Sequence, residues 1–351
     1  MHILHRVIFL KKAFVISGVF ISSLVGAGFA SGSEILYYFS RYGAWGFFGI
    51  VFCSVLFGIL QYLIVSHTSD IPNSDFEGYL KMITGKKLAV FLSVFAHIFM
   101  LLVFSAMLSG FSQMCLGLWG IKRIYSSALM LILSMTIIFS GYDTFVKSQS
   151  ILCISIVGTI AICSLYILIF RESNIAVFSL YNNAFTSGLS YVSYNILTTS
   201  AVLCILGKKC TKNTILLSSV FTAVILIVIM SVMWYILCLY SGMITLGQLP
   251  FLTVCLRQSK LLGLFYSSAI FFSMLTTAVS NGYTLNIRIK SRIVKVGAFM
   301  LAFGLSAFEF SFIVDKLYRL AGIISIIFLI CVIKYSINNK KYDILRKQAK
   351  Y

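Results

Sequence analysis

The chain has 351 residues, of which 60% are hydrophobic and only 11% charged, and its mean hydropathy is +1.00. These values lie far outside the range of soluble globular domains and predict an integral membrane protein. The net charge of +19 does not indicate a nucleic-acid-binding protein, because the lysines and arginines stand mainly at the ends of apolar segments. No long alternation of polar and apolar residues occurs, so we predict an all-α membrane protein and not a β-barrel.

Ten apolar segments reach or approach the roughly 20 residues that cross a bilayer as a helix. They are residues 13–40, 43–66, 88–114, 124–142, 147–170, 187–206, 213–241, 259–287, 293–309 and 311–336. A chain with its N-terminus in the cytoplasm places most basic residues on that side, including a short basic tail at 338–351. The sequence therefore predicts a multi-pass protein of the bacterial cell membrane with both termini cytoplasmic. If the last two segments formed one bent span, the basic tail would face outward, and we prefer ten spans for that reason.

The first segment contains "LVGAGFASGSE" (24–34), which is too rich in glycine and polar residues for a regular span. Gly26, Gly28 and Gly32 allow the backbone to leave the helix, and a break at this depth is tolerated where it lines a cavity. The half-helix that follows would point its positive end at that cavity and suit an anionic group. The alternative is a close helix contact through Gly28 and Gly32, which are four residues apart.

Glu34 directly follows this break. A carboxyl group within a span is costly and is usually paired, protonated or functional. Apolar and aromatic residues continue up to Arg41, so we expect Glu34 to be buried and not solvated at the outer interface. It could be a proton-coupling group, a counter-ion for a cationic substrate, or an acceptor for amides of the sixth segment.

The two halves of the chain show a weak internal similarity. The only prolines, Pro72 and Pro250, each lie in a polar link with a short apolar segment, after the second and the seventh span. This spacing predicts inverted repeats at 13–170 and 187–336, the architecture of many secondary transporters. The sixth segment, "TSGLSYVSYNILTTSAVL", should then be interrupted like the first. Polar and small residues crowd its centre, namely Gly188, Ser190, Ser193, Tyr194, Asn195, Thr198 and Thr199.

The eighth segment places three hydroxyl groups, on Ser273, Thr276 and Thr277, along one side of a helix. Hydroxyl oxygens of this kind, with carbonyls from an unwound span, suit sodium. The alternative is that they bond back to the preceding helical turn. We expect His97, in the third segment, to be a hydrogen-bonded packing residue, with proton coupling as the alternative. Five tyrosines could gate a cavity at the break: Tyr37, Tyr38, Tyr191, Tyr194 and Tyr283.

The nine cysteines form no CxxC pair and have no histidine cluster beside them, so we expect small buried apolar residues and not a metal or redox site. No Walker, GxSxG or HExxH motif occurs, and the sequence predicts a protein that is not an enzyme. No cofactor is expected apart from a sodium ion.

The stretches "GAGFASGSEILYYF" and "SYVSYN" resemble the YkvI-type family of bacterial membrane proteins, amino acid permeases of the amino acid, polyamine and organocation superfamily. The resemblance covers essentially the whole chain as one transporter domain. It implies the LeuT-type fold, with ten transmembrane helices in a 5+5 inverted repeat and broken helices 1 and 6. By position it implies a substrate site at Gly26, Ala27, Gly28, Ser31, Gly32, Glu34, Tyr191, Ser193, Tyr194 and Asn195, and a sodium site at Ser273, Thr276 and Thr277.

These features together predict a secondary active transporter of a small amino acid or related amine, coupled to a sodium or proton gradient by alternating access. A helix N-terminus favours a carboxylate and Glu34 favours an amine, so a zwitterion satisfies both. The alternative is a ligand sensor without transport, similar to a germinant-receptor subunit. A channel is disfavoured because no pore-forming motif is visible. The expected partners are a small-molecule substrate and the lipid bilayer, without nucleic acid.

Overall fold

The computed structural model describes residues 2–69, 75–170, 183–207, 210–240, 249–308 and 318–348. The first predicted segment consists of three consecutive helices, α1 (His2–Leu24), α2 (Ala27–Ala30) and α3 (Ser33–Tyr38). The later helices are α4 (Ala44–Ser69), α5 (Phe76–Thr84), α6 (Lys86–Trp119), α7 (Arg123–Phe139), α8 (Tyr142–Ile169), α9 (Ala184–Gly207), α10 (Lys212–Leu239), α11 (Pro250–Gln258), α12 (Lys260–Arg288), α13 (Arg292–Leu305) and α14 (Tyr318–Gln348). Every predicted segment overlaps at least one of these helices.

The long helices identify a multi-pass membrane protein. Seven of the described helices are long and apolar enough to cross a bilayer, namely α4, α6, α8, α9, α10, α12 and the part of α14 from Leu320 to Asn338. Many of their large apolar side chains point outward, as Val228 and Ile162 do with 57% of each residue exposed. Such a surface suits contact with lipid. The link predicted near 309–315 lies outside the described residues.

Helices α9 and α12 lie at the centre of the bundle. About three quarters of the most apolar part of each is buried, 78% for α9 and 72% for α12, against 39% for α8 and α10. These central helices also carry the polar residues that a lipid-facing helix would not tolerate, including Ser193, Ser273 and Thr276, all fully buried. The polar side chains on these two helices are therefore enclosed by protein.

Two short helices confirm the segments expected after the second and seventh spans. Helix α5 follows α4, and the Asp75 carboxylate caps it by accepting from the Gly78 N–H at 2.7 Å. Helix α11 follows α10 and begins at Pro250, whose missing N–H costs nothing at the first helical position. Pro72 lies outside the described residues.

The prediction of a broken sixth span is wrong: α9 is one continuous helix from Ala184 to Gly207. Its polar side chains bond back to carbonyls of their own helix, for example the Ser193 hydroxyl to Leu189 at 2.7 Å and the Thr199 hydroxyl to Asn195 at 2.7 Å. These bonds satisfy the side chains without releasing the backbone. Gly188 serves close packing instead, because a Cβ there would overlap the Cys53 sulfur.

At the end of α12, Arg288 joins that helix to the start of α5. Its guanidinium lies 3.2 Å from the carboxylates of both Asp75 and Glu77 and 5.7 Å from the Phe76 ring centre. The Arg288 side chain is only 12% exposed, whereas both acids are about half exposed. Because the guanidinium is largely shielded from water, its attraction to the two carboxylates is stronger than that of a fully exposed ion pair.

We expect Arg288→Gln to destabilise the protein by about 1 kcal/mol, because partly exposed ion pairs contribute up to about that much. The melting temperature in detergent should fall by a few degrees. Arg292→Gln is the matched control. Arg292 is exposed and begins α13, directly after residues 289–291, which connect α12 to α13. Equal shifts for the two variants would contradict a stabilising contribution from the Arg288 cluster.

Candidate ligand-binding site at the break in the first span

The predicted break in the first span is confirmed. The Gly26 N–H donates to the Leu24 carbonyl at 3.0 Å and not to Ser22, so the helical hydrogen-bond ladder ends there. Gly26 is extended (φ −90°, ψ −172°), and Gly32 is left-handed (φ +83°), a region that favours glycine. The chain therefore crosses this level of the bundle as two short helices, α2 after Gly26 and α3 after Gly32.

We call residues 27–32, on the α3 side of Gly26, the outer part of the break. Neighbouring helices hold this part in place. The Tyr266 hydroxyl of α12 donates to the Ala30 carbonyl at 2.6 Å, and the Phe251 N–H of α11 donates to the Ser31 carbonyl at 2.8 Å. A Cβ on Gly32 would lie 3.0 Å from the Phe251 Cβ. Backbone groups released by the break are thus satisfied on this side, and α11 covers it.

Glu34 is buried, as expected, with 5% of its surface exposed. It lies in the first turn of α3 and packs directly on Gly28: a Cβ on Gly28 would lie 2.5 Å from Glu34 Oε1 and 2.8 Å from its Cγ. Gly28 itself is helical, so its role here is to leave space and not to turn the chain. The requirement for glycine at this position comes from the carboxyl group.

Tyrosines from three helices enclose Glu34. The hydroxyls of Tyr194 and Tyr191 on α9 face its carboxyl group, yet neither makes a hydrogen bond of normal geometry to any described residue. Glu34 Oε2 likewise has no hydrogen-bond partner in the described part of the chain. The Tyr194 ring lies 5.0 Å from that of Tyr318 on α14, and Tyr191 lies 5.2 Å from Tyr38 on α3. Buried polar groups without partners are costly, so a water molecule, an ion or a ligand bound here would stabilise them.

A cavity of about 20 Å³ lies on the other side of the break, which we call the inner side, next to the end of α1. Five predicted residues line it: Gly26, Glu34, Tyr194, Asn195 and Thr277. The rest of its wall consists of Ser23, Leu24, Phe99, Val103, Thr198, Asn281 and Tyr318. This volume accommodates about one water molecule or a bare ion. A whole amino acid does not fit, and we refer to this narrow arrangement of the cavity as the closed conformation.

The other predicted substrate residues lie next to the cavity but do not line it. Ala27, Gly28, Ser31 and Gly32 form the outer part of the break, Tyr191 packs beside Tyr194, and Ser193 bonds to its own helix. The sequence reasoning missed Phe99 and Val103, which are ordinary apolar residues within a long apolar helix. Asn281 was detectable, since it follows Thr277 by one helical turn.

The three hydroxyls predicted to bind sodium differ in what they contact. Ser273 and Thr276 donate to carbonyls of their own helix, those of Ile270 at 2.8 Å and Ser273 at 3.0 Å. The Thr277 hydroxyl is buried, has no hydrogen-bond partner among the described residues, and lies 3.2 Å from where a Gly26 Cβ would stand. Only Thr277 of the three faces the break.

A second, smaller cavity continues from the first. It has a volume of about 10 Å³ and is lined by Ser23, Thr198, Thr199, Val202, Ser280 and Asn281, three of which also line the first cavity. Relative to Tyr194 and Thr277, its lining lies about one turn further along α9 and α12. The polar surface therefore extends from Glu34 to Ser23, near the end of α1.

Other predicted residues lie away from this cavity. The His97 ring bonds through Nδ1 to the Ser93 carbonyl at 2.5 Å and packs against Phe76, whereas its buried Nε2 has no hydrogen-bond partner among the described residues. Tyr283 stacks on Phe145 at 4.2 Å, and Arg41 lies over the ring of Tyr37 at 3.9 Å. The nine cysteines all fall within the described residues, form no disulfide there, and are buried or half-buried.

Two relatives from Bacillus subtilis (strain 168) match almost the whole chain. The membrane protein YkvI is 23% identical over 325 residues, which cover 89% of this chain and 92% of YkvI. The protein YyaD is 23% identical over 333 residues, which cover 91% of this chain and 96% of YyaD. No protein-family model matches the chain.

Among solved structures, a Na⁺-coupled sialic acid symporter in a substrate-bound outward-open state is similar with a TM-score of 0.56 and 13% identity, covering 89% of this chain and 71% of the symporter. A mutant of the manganese transporter of Eremococcus coleocola has a TM-score of 0.52 and 13% identity, covering 94% of this chain and 72% of the transporter. At these identities the similarity establishes the shared fold. Together with the two relatives, it confirms the predicted resemblance of this chain to the YkvI-type family of membrane proteins.

Proposed function

We propose that the protein is a secondary active transporter that moves a small amino acid or related amine by alternating access, driven by a sodium or proton gradient. One observation carries the proposal: the Glu34 carboxyl group, the Tyr194 hydroxyl that faces it and the Thr277 hydroxyl are buried around one cavity at the break, and Glu34 Oε2 and both hydroxyls make no hydrogen bond of normal geometry to any described residue. A ligand that enters the cavity would supply those partners. The fold that the chain shares with a Na⁺-coupled symporter and a manganese transporter supports the same function.

The proposed architecture has ten crossings in two inverted repeats, 13–170 and 187–336, within one domain of the bacterial cell membrane. The matching positions of α5 and α11, after the second and seventh long segments, support the repeat. Lysines and arginines are more numerous in the links and tail on the side of the N-terminus than in the links on the opposite side, which supports cytoplasmic termini. The two halves differ in one respect, since α9 is continuous where the first span is broken.

The chemistry of the site favours a substrate with an amino group. Glu34 offers a buried carboxyl oxygen to an ammonium group. The expected pull of a half-helix on an anion is weak here, because α2 and α3 have only four and six residues. The hydroxyl of Tyr194 can instead donate to a substrate carboxylate, so a zwitterionic amino acid remains the preferred substrate class.

Sodium and protons would act at different residues. The Thr277 hydroxyl next to the extended backbone at Gly26 offers hard oxygen ligands of the kind that bind sodium. Glu34 is the group that would gain and lose a proton. Ser273 and Thr276 belong to a sodium site only if their bonds to helix carbonyls rearrange, since these hold both hydroxyls in the closed conformation.

The proposal is tested first by a thermal-shift screen of amino acids and amines, with and without sodium. Compounds that stabilise the protein are then offered, as labelled substrates, to proteoliposomes. We expect accumulation only when an ion gradient is imposed. A compound that raises the melting temperature but is never accumulated would indicate a ligand sensor. No uptake and no stabilisation across a broad panel would reject the transporter proposal.

A further inference from the structure

A fully buried glutamine bridges two helices at the break. Gln149 lies on α8 and is 0% exposed. Its Oε1 accepts from the Ser22 hydroxyl at 2.6 Å, and its Nε2 donates to the Thr276 carbonyl at 3.0 Å. Burying an amide in an apolar bundle is costly unless such partners are present. Here both the oxygen and the nitrogen of the amide have a hydrogen-bond partner.

The two partners of Gln149 lie on α1 and α12, two of the helices that line both cavities. Ser22 stands two residues before the end of α1, and Thr276 directly precedes Thr277 on α12. A neighbouring contact crosses the same interface, where the Ser280 hydroxyl donates to the Ser23 hydroxyl at 2.9 Å. Farther along α1, the Thr222 hydroxyl of α10 donates to Ser17 at 3.2 Å. Side-chain hydrogen bonds therefore attach α1 to three neighbouring helices.

These attachments matter because the backbone does not hold α1 in place. The last helical hydrogen bond of α1 runs from the Val25 N–H to the Ile21 carbonyl, and Gly26 is extended, so α1 can pivot relative to α2 without breaking a helical turn. The two small cavities lie between Ser23 of α1, Thr198 of α9 and Asn281 of α12. To widen them toward the N-terminal end of α1, that helix must move away from α12, and both bonds of Gln149 cannot persist through this movement.

We propose that Gln149 is a positioning residue that holds α1 against α12 and thereby keeps the cavity closed on the side where α1 begins. It does not contact the ligand; it determines how often the inner wall opens. The claim about opening rests on the geometry of α1, and its consequence for transport rests on the proposed function.

The test measures opening directly, without any substrate. A cysteine at position 199 (Thr199→Cys) lies in the second cavity and is shielded in the closed conformation. Membrane-impermeant maleimide is applied to inside-out and right-side-out vesicles, and the parent protein without this substitution corrects for the native cysteines. We expect Gln149→Met to raise the labelling rate at this position about tenfold, from one side of the membrane only, since two buried hydrogen bonds are lost.

Gln61→Met is the matched control. Gln61 is also 0% exposed and donates to the Ser218 hydroxyl at 3.2 Å, but it links α4 to α10, away from the break. Because Gln61 Oε1 has no hydrogen-bond partner among the described residues, we expect Gln61→Met to change the melting temperature little and to leave the labelling rate unchanged. Ser22→Ala removes one of the two bonds and should raise labelling less than Gln149→Met, and the double variant should not exceed Gln149→Met, because both act on one bridge.

The inference is overturned if Gln149→Met lowers the melting temperature while labelling stays at the parental rate, or if Gln61→Met increases labelling equally. Should Gln149→Met fail to fold, Ser22→Ala decides alone, and unchanged labelling then overturns the inference. Increased labelling in a protein that transports nothing would reject the proposed function and leave the role of Gln149 intact.

Discussion

Gly28→Leu is expected to abolish gradient-driven uptake. The first side-chain atom alone would stand 2.5 Å from Glu34 Oε1 and 2.9 Å from its Cδ, closer than non-bonded atoms approach. Glu34 cannot move aside easily, because the residue is only 5% exposed and the hydroxyls of Tyr191 and Tyr194 face its carboxyl group. A leucine must therefore displace the carboxyl group or force α2 and α3 apart, and either change disrupts the site.

Gly158→Leu provides the matched control. Gly158 lies within the long helix α8, and a Cβ there would meet no atom within 4 Å. Both variants should be compared for amount in the membrane, melting temperature and uptake. We expect Gly158→Leu to transport normally and Gly28→Leu to reach the membrane but accumulate no substrate. Normal uptake by Gly28→Leu would show that the position of Glu34 is unimportant.

Thr277→Val is expected to weaken sodium dependence more strongly than any change at its neighbours. Valine has nearly the same shape as threonine but lacks the hydroxyl that faces Gly26. We expect the sodium concentration for half-maximal uptake to rise by at least about tenfold, equivalent to about 1.4 kcal/mol. Thr276→Val should have a smaller effect, because its hydroxyl already donates to the Ser273 carbonyl.

Glu34→Gln distinguishes the two coupling ions. If sodium drives transport, this variant should retain sodium dependence although substrate affinity falls, since an amide attracts an ammonium group less than a carboxylate does. If protons drive transport, Glu34→Gln should lose the response to a pH gradient while Thr277→Val retains it. The measurement is uptake under separately imposed sodium and proton gradients. Sodium-driven uptake that is unaffected by Thr277→Val would reject the sodium site.

Local residue patterns predicted much of the fold. Glycine and polar residues in the first span indicated its break, because Gly26 and Gly32 permit backbone conformations that a regular helix lacks. The same argument failed for α9. There, Ser193, Asn195 and Thr199 use their polar atoms on the helix's own carbonyls, and Gly188 allows α9 to pack closely on Cys53. Composition alone cannot distinguish these uses, since both place small and polar residues in mid-span.

The sequence by itself determined the membrane class, the helical segments, the break in the first span and the burial of Glu34, because each depends on hydropathy or on the conformational freedom of nearby residues. The tertiary structure decided which side chains meet. It brought Tyr318, Asn281 and Ser23 to one cavity and turned Thr277, but not Thr276, toward the break. It also placed Gln149, more than a hundred residues from either partner, between Ser22 and Thr276. Contacts between residues so distant in the chain depend on how the helices pack, which no local pattern specifies.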